Sequence, residues 1–279
     1  MAEATPAGAP SRRGGQVLVV VGLLMLTGMG VMAVFGPLIA PFNPSATSPD
    51  SLAGPSAAHW LGTDSIGRDV LSRLIIGGRT TLLITFVAVS CAVAAGLVLG
   101  LLSGYVGGML DEVIMRALDV VFAFPVFLLA IAVVAALGPT VPNLILTIAI
   151  VYTPTMARVV RGPVLSVKRW DHVEAARSVG VSEFAIATRH VLPLVVSPIL
   201  VQTSLTLAQT IFTVTALSFL GIGPPPPDPN WGGMLSEARQ FMELAPLTVI
   251  GPAGAIVFAT LTFIVLANGL RELLDVGSR

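Results

Sequence analysis

Few side chains in this 279-residue sequence are equipped for bond chemistry, and those few are badly spaced for it. Cys91 is the only cysteine and Lys168 the only lysine. A lone cysteine makes no internal disulfide, CxxC redox pair or cysteine-based zinc site. A phosphate-cradling loop of the GxxxxGK[ST] type needs its Lys on the terminal phosphates, and Lys168 follows Val167 rather than Gly. His59, His172 and His190 stand far apart, and none belongs to an HExxH pair. The sequence therefore assigns no catalytic residue and no metal ligand. Its polar residues can pair, cap and dock, and they gather in two places. Residues 59–79 carry Asp64, Arg68, Asp69 and Arg73; residues 158–193 hold most of the charge of the second half.

Asp171 followed three residues later by Glu174 has the form of a capping box, with Asp171 accepting orphan N–H groups and Glu174 reaching back. That predicts a helix to about Ser178, stopped by a left-handed Gly180. Ser182 then caps a second helix ending before Pro193, with Phe184, Ala187 and Val191 on one face. The small residues Ala175, Ala176 and Ser178 on the first helix admit another surface at close range. In the other cluster, Asp64 and Asp69 are placed to cap a helix over 70–76 and to pair with Arg68 and Arg73.

Composition says what must hold these segments. Hydrophobic residues make up 54% of the chain and charged residues 11%, with 15 Lys+Arg against 15 Asp+Glu. Soluble domains carry about 25% charged residues, so a soluble globular enzyme is excluded. A nucleic-acid binder is excluded by the missing basic excess, and disorder by the apolar content. The chain reads as an all-α, polytopic membrane protein. Six stretches are long enough for a core of about 30 Å: 17–40, 80–102, 120–137, 140–157, 194–220 and 246–267. Pro125, Pro154 and Pro198 inside them are read as kinks, which neighbouring helices make tolerable. The first stretch follows Arg12 and Arg13 as a secretory signal would. It exceeds the usual 7–15-residue apolar run and lacks a small-residue cleavage site, so an uncleaved anchor is preferred.

Lys and Arg set the orientation. With the N-terminus inside, Arg12, Arg13, Arg116, Arg158, Arg161, Lys168, Arg169, Arg177, Arg189, Arg271 and Arg279 are cytoplasmic, and Arg68, Arg73, Arg79 and Arg239 are external. Both termini are then cytoplasmic. The expected organisation is a tail over 1–16, an anchor over 17–40, an external segment over 41–79, and a core over 80–268 followed by a tail over 269–279. The core contains the cytoplasmic loop 158–193 and an external segment 221–245. Asp111, Glu112, Arg116 and Asp119 are expected in a solvated loop, Pro224 to Pro227 as a stiff polyproline spacer, and Cys91 as a lipid- or helix-facing packing residue.

Glu174-Ala175-Ala176, Gly180 and Leu192-Pro193 resemble the EAA-x3-G-x9-I-x-L-P signature of permease subunits of ABC importers, with His190 where the general pattern has Ile. Residues 59–79 resemble the LGTDxxGRDxxSRxxxGxR segment of the dipeptide, oligopeptide and nickel type, in the second ("C" type) of their two permease subunits. Leu217–Gly223 with Trp231–Arg239 is similar to their LSFLGLG…WGxML segment, and Gly269–Asp275 to GLRDxLDP, with Val276 in place of the proline. The resemblance covers nearly everything after Pro41. It implies a type I importer fold with six transmembrane helices, and ATPase coupling through Asp171, Glu174, Ala175, Ala176, Gly180, His190, Leu192 and Pro193. The implied partners are cytoplasmic ATPase subunits that bind ATP and Mg, a paralogous permease forming a heterodimer, and an extracytoplasmic substrate-binding protein. For Asp64, Arg68, Asp69 and Arg73 a contact with that binding protein stands beside the capping reading. Trp231 is read as an interface anchor or, with Met234, as part of an external gate.

The six stretches hold no Asp, Glu, Lys, Arg or His in their interiors, whereas ion-coupled carriers keep an ionisable group in the membrane. The free energy for transport must then enter through the charged, glycine-hinged loop. The expected function is a permease subunit of an ATP-driven peptide importer in the cytoplasmic membrane, with nickel, glutathione or another small solute as alternative cargo. A stand-alone carrier or channel and a membrane scaffold are the competing classes.

Overall fold

The computed structural model describes residues 12–275; the outer parts of both expected tails lie outside them. Five helices are long and apolar enough to cross a membrane: α1 (Arg12–Ile39), α2 (Val70–Val106), α5 (Val141–Val167), α8 (Leu192–Phe219) and α10 (Leu247–Asp275). Two shorter helices, α3 (Gly108–Phe122) and α4 (Val126–Leu137), make a sixth crossing if taken together. No strand occurs among the described residues, only an isolated bridge between Thr63 and Asp69.

The tightest pairing is α2 against α5, and glycine spacing causes it. Gly96, Gly100 and Gly104 fall on one stripe of α2, where a Cβ at Gly96 would collide with Met156 Cβ and one at Gly100 would stand 2.5 Å from the Ala157 carbonyl oxygen. Small residues let backbones approach where lipid offers no hydrophobic drive. Around this pair lie three apolar clusters. One joins α1, α2, α8 and α10 through Met29, Leu82, Ile211 and Phe263. A second joins α2, α4, α5 and α8 through Ile84, Ala130, Ile148 and Leu217. The third, Val160, Val164, Val173, Ile186, Val191 and Val195, seats the 168–191 loop.

Several expectations need correction. Pro125 is a break, since α3 and α4 meet there at 86°, whereas Pro154 and Pro198 lie inside continuous helices as expected. Asp111, Glu112, Arg116 and Asp119 belong to α3 and not to a loop. The helix expected over 70–76 runs on without interruption as α2. The helix expected to stop before Pro193 also runs on. Glu183–Ala185 (α7) passes through a π turn, Ile186–Val191, directly into α8. A proline clashes with the carbonyl four residues back in a regular helix, and here the preceding turn is widened, with the Leu192 N–H donating to the Ala187 carbonyl five residues back. The proline run 224–227 contains a turn at Pro226-Pro227 and is no straight spacer.

Candidate coupling loop and the charge cluster at the opposite end

At one end of the bundle α5 stops at Lys168, whose ammonium donates to the carbonyls of Gly104 (2.6 Å) and Tyr105 (3.2 Å). These are last-turn acceptors of α2, where a cation also meets the negative end of the helix dipole. Burial lowers the Lys168 pKa from its ordinary value. Beside it Arg161 grips Asp111 of α3 with two bonds of 2.6 Å, and Arg158 holds Asp119 at 2.5 Å while lying 3.8 Å over the Phe122 ring. The end of α5 is thereby fixed to both α2 and α3.

From that anchorage hangs α6 (Asp171–Ser178). The N-cap is Trp170, whose carbonyl accepts from Val173 and Glu174, so Asp171 sits in the first turn and caps nothing. Asp171 and Glu174 still favour the helix, as carboxylates at its positive end. Val173 alone is fully buried; Ala176 is half-buried, and Glu174, Ala175 and Ser178 face outward. Gly180 ends the helix at φ +81, as expected. Its N–H donates to the Arg177 carbonyl and that of Val181 to the Ala176 carbonyl, the paired bonds of a Schellman stop. Val181 and Ala176 then pack together on the third cluster.

Ser182 caps the next turn by accepting from the Ala185 N–H. Glu183 closes the loop, accepting from Arg177 Nε (2.8 Å) and Nη2 (3.3 Å) and from the Tyr105 hydroxyl. That carboxylate raises the Arg177 pKa. Ala187 and Val191 are buried, as expected of one face, but Phe184 is not on it: its side chain is 80% exposed, like that of Val179 at 78%. Leu192 packs on the third cluster, His190 is half-buried in the π turn, and Pro193 is exposed. Glu174, Ala175 and Val179 are thus exposed on the loop, and Phe184 is bare beside α2, where it lines an apolar cleft with Val98, Leu102 and Val106.

At the opposite end the second group of predicted residues does come together. Asp69 caps α2, accepting from the Ser72 N–H (2.7 Å) and Ser72 hydroxyl (2.6 Å), and its other oxygen meets His59 Nδ1 at 2.8 Å. Asp64 accepts from Arg68 Nε at 2.6 Å and lies 3.4 Å from Arg73 Nη1. Both arginines also hold Glu237 of the short helix α9 (Trp231–Ala238), Arg68 at 2.5 Å and Arg73 at 2.8 Å. Capping thus falls to Asp69 and pairing with the arginines to Asp64, while the contacts to His59 and Glu237 lie outside the expected pattern. Glu237 is the member that the sequence does not single out. With Asp69 committed to the cap, two arginines face the single carboxylate of Asp64, and that imbalance is the available signal.

Trp231 overturns the interface reading. It is 1% exposed, its indole N–H donating to the Leu74 carbonyl at 2.9 Å, against Gly78. Met234, also buried, lies in the same cluster. Together the indole and Glu237 clamp α9 onto the first turns of α2. Glu237→Ala would leave the Arg73 guanidinium, 3% exposed, short of its main partner. Unpairing a buried charge costs about 3–5 kcal/mol; because Glu237 is partly solvated, about 1–3 kcal/mol is expected, read as a lower thermal midpoint in detergent.

A bundle of apolar spans, a charged helix-turn-helix at one end and an ion-paired cap at the other define a polytopic transport protein of the permease class. The chain belongs to the family described as "binding-protein-dependent transport system inner membrane component", which it matches over residues 96–279. Residues 16–55 match the N-terminal transmembrane domain of oligopeptide transport permease C. The chain is 42% identical to the dipeptide transport system permease protein DppC of Alkalihalophilus pseudofirmus, over 92% of this chain and 85% of that one. It is 47% identical to the glutathione transport system permease protein GsiD of Pectobacterium atrosepticum, over 80% and 74%. The GsiD of Escherichia coli gives 44%, over 88% and 82%. Among solved structures, an inward-facing MetNI methionine ABC transporter superposes with a TM-score of 0.59 at 18% identity, covering 73% of this chain and 96% of that one. That likeness concerns the fold. The chain is an ABC importer permease subunit of the C type.

Proposed function

We propose that this chain forms half of the translocation pathway of an ATP-driven, binding-protein-dependent importer of peptides. The observation that carries the reading is the loop 168–191: rigidly closed by its own bonds, fused to α8, and presenting Glu174, Ala175, Val179 and Phe184 to a partner. A surface built this way suits a groove on a soluble ATPase. Both termini and this loop are cytoplasmic; 41–69 and 221–246 face the substrate-binding protein. One loop fills one groove, so a dimeric ATPase requires a second, paralogous permease in a pseudo-twofold pair. ATP and Mg bind the ATPase subunits, whose closure displaces both loops and swings the bundles between inward- and outward-facing states. Dipeptides and glutathione, the cargos for which the relatives are named, are both peptidic, which favours peptides over nickel.

The test is reconstitution. Proteoliposomes with both permeases, the ATPases and the binding protein accumulate labelled dipeptide only with ATP, and liposomes holding this chain alone accumulate none. Glu174→Arg abolishes co-purification of the ATPase while leaving the chain in the membrane. Uphill uptake by the isolated chain overturns the proposal.

A further inference from the structure

The ionic groups of α2 divide sharply. Arg73 is buried and paired, whereas Arg79 is exposed and makes no ion pair or hydrogen bond among the described residues. From Arg79 to the end of α2 no other charged side chain occurs. Gly36 of α1 packs on Ile75, so Arg79 lies about one helical turn deeper than that contact, and α1 runs on only to Ile39. A helical side chain leans toward its own N-terminus, here toward the end that carries the Asp64 cluster. The guanidinium therefore reaches for the headgroup layer while its stem stays in hydrocarbon.

Directly beside it, α1 and α2 leave an apolar cleft of about 560 Å³, within the size range of small-molecule sites. Met29 and Leu82 form its floor, and Val34, Leu83, Phe86 and Val87 its walls. Arg79, Leu83, Phe86 and Val87 follow one another at i, i+4, i+7 and i+8 and so share a single face of α2. Gly30 on α1 also lines the cleft, and a side chain there would meet nothing within 4 Å. The cleft thus has a cation at its mouth and hydrocarbon below.

We infer that this cleft is a phospholipid site, with one acyl chain between α1 and α2 and the phosphate held by the Arg79 guanidinium. Charge complementarity argues for that occupant: a phosphodiester offers two oxygens to the planar fork of arginine, and only an amphiphile satisfies the cation and the apolar walls together. The inference rests on the membrane setting of α2 and is independent of the importer reading.

Native mass spectrometry of the assembled permease complex, released from detergent containing phosphatidylglycerol, tests it by counting retained lipids. Wild type retains bound lipid, and Arg79→Lys retains part of it. Arg79→Ala lowers occupancy about tenfold, the scale of a charged hydrogen-bonded contact. Gly30→Leu fills the cleft with Arg79 intact and lowers occupancy likewise. Inorganic phosphate does not compete. Retention by both Arg79→Ala and Gly30→Leu equal to wild type overturns the site. So does loss of complex assembly in Arg79→Ala with unchanged lipid per chain, because Arg79 would then serve a neighbouring permease.

Discussion

Replacing Gly180 by valine is expected to bring ATP-driven uptake to background, at least tenfold below wild type, while the chain still inserts and folds. Gly180 is held at φ +81 by the two bonds that end α6. A left-handed conformation costs an ordinary L-residue about 1–2 kcal/mol, and it is worst for a β-branched one. The position is open, with no heavy atom within 4 Å of the place a Cβ would occupy, so no core clash follows. The effect falls on the turn and on the direction in which Glu174 and Ala175 are presented. Gly180→Asn, which tolerates the left-handed region, should retain most uptake. Transport by the valine variant at the wild-type rate removes the loop from the coupling role.

The second large effect is on stability. Trp231 is the largest fully buried side chain of the described residues, and truncation of a buried tryptophan costs about 3–5 kcal/mol. Trp231→Ala also releases the Leu74 carbonyl and removes the indole bond that ties α9 to α2. Loss of most folded protein on mild heating in detergent is the expected result. Trp231→Phe keeps the packing, loses the indole bond, and should cost about 1 kcal/mol on that account. A Trp231→Ala protein with an unchanged melting midpoint contradicts the buried placement.

Hydropathy alone finds the apolar middle of each long helix, because a 30 Å apolar layer demands long uninterrupted runs, but not the helix ends: α2 begins at Val70, α5 ends at Val167 and α10 ends at Asp275, each well beyond its apolar stretch. Gly180 and Ser182 are equally legible, since a left-handed stop and a hydroxyl cap are local chemistry. Pro125 is not. Its break separates an apolar helix from α3, whose Glu112, Arg116 and Asp119 fall at i, i+4 and i+7; that polar stripe is present in the sequence, but its charge density reads as a loop. Asp171 misleads because the helix starts one residue earlier than its capping-box spacing implies: Trp170 holds the N-cap position without a side-chain bond, and Asp171 falls in the first turn. Trp231 and Glu237 depend on contacts more than 150 residues away along the chain, and no local pattern announces such partners. Gly96, Gly100 and Gly104 have the spacing of a close-packing stripe, yet only the partner helix α5 gives that spacing its meaning.

The uninterrupted passage from α7 through the π turn into α8 has a mechanical corollary. Residues 183–219 form one apolar-to-polar rod of 37 residues, about 55 Å long at 1.5 Å per residue. A rod has no slack. Tilted by about 5° about its Ser182 end, it carries Phe219 sideways by about 5 Å. The lever arm is the helix itself, and its fulcrum is the end that carries the coupling loop.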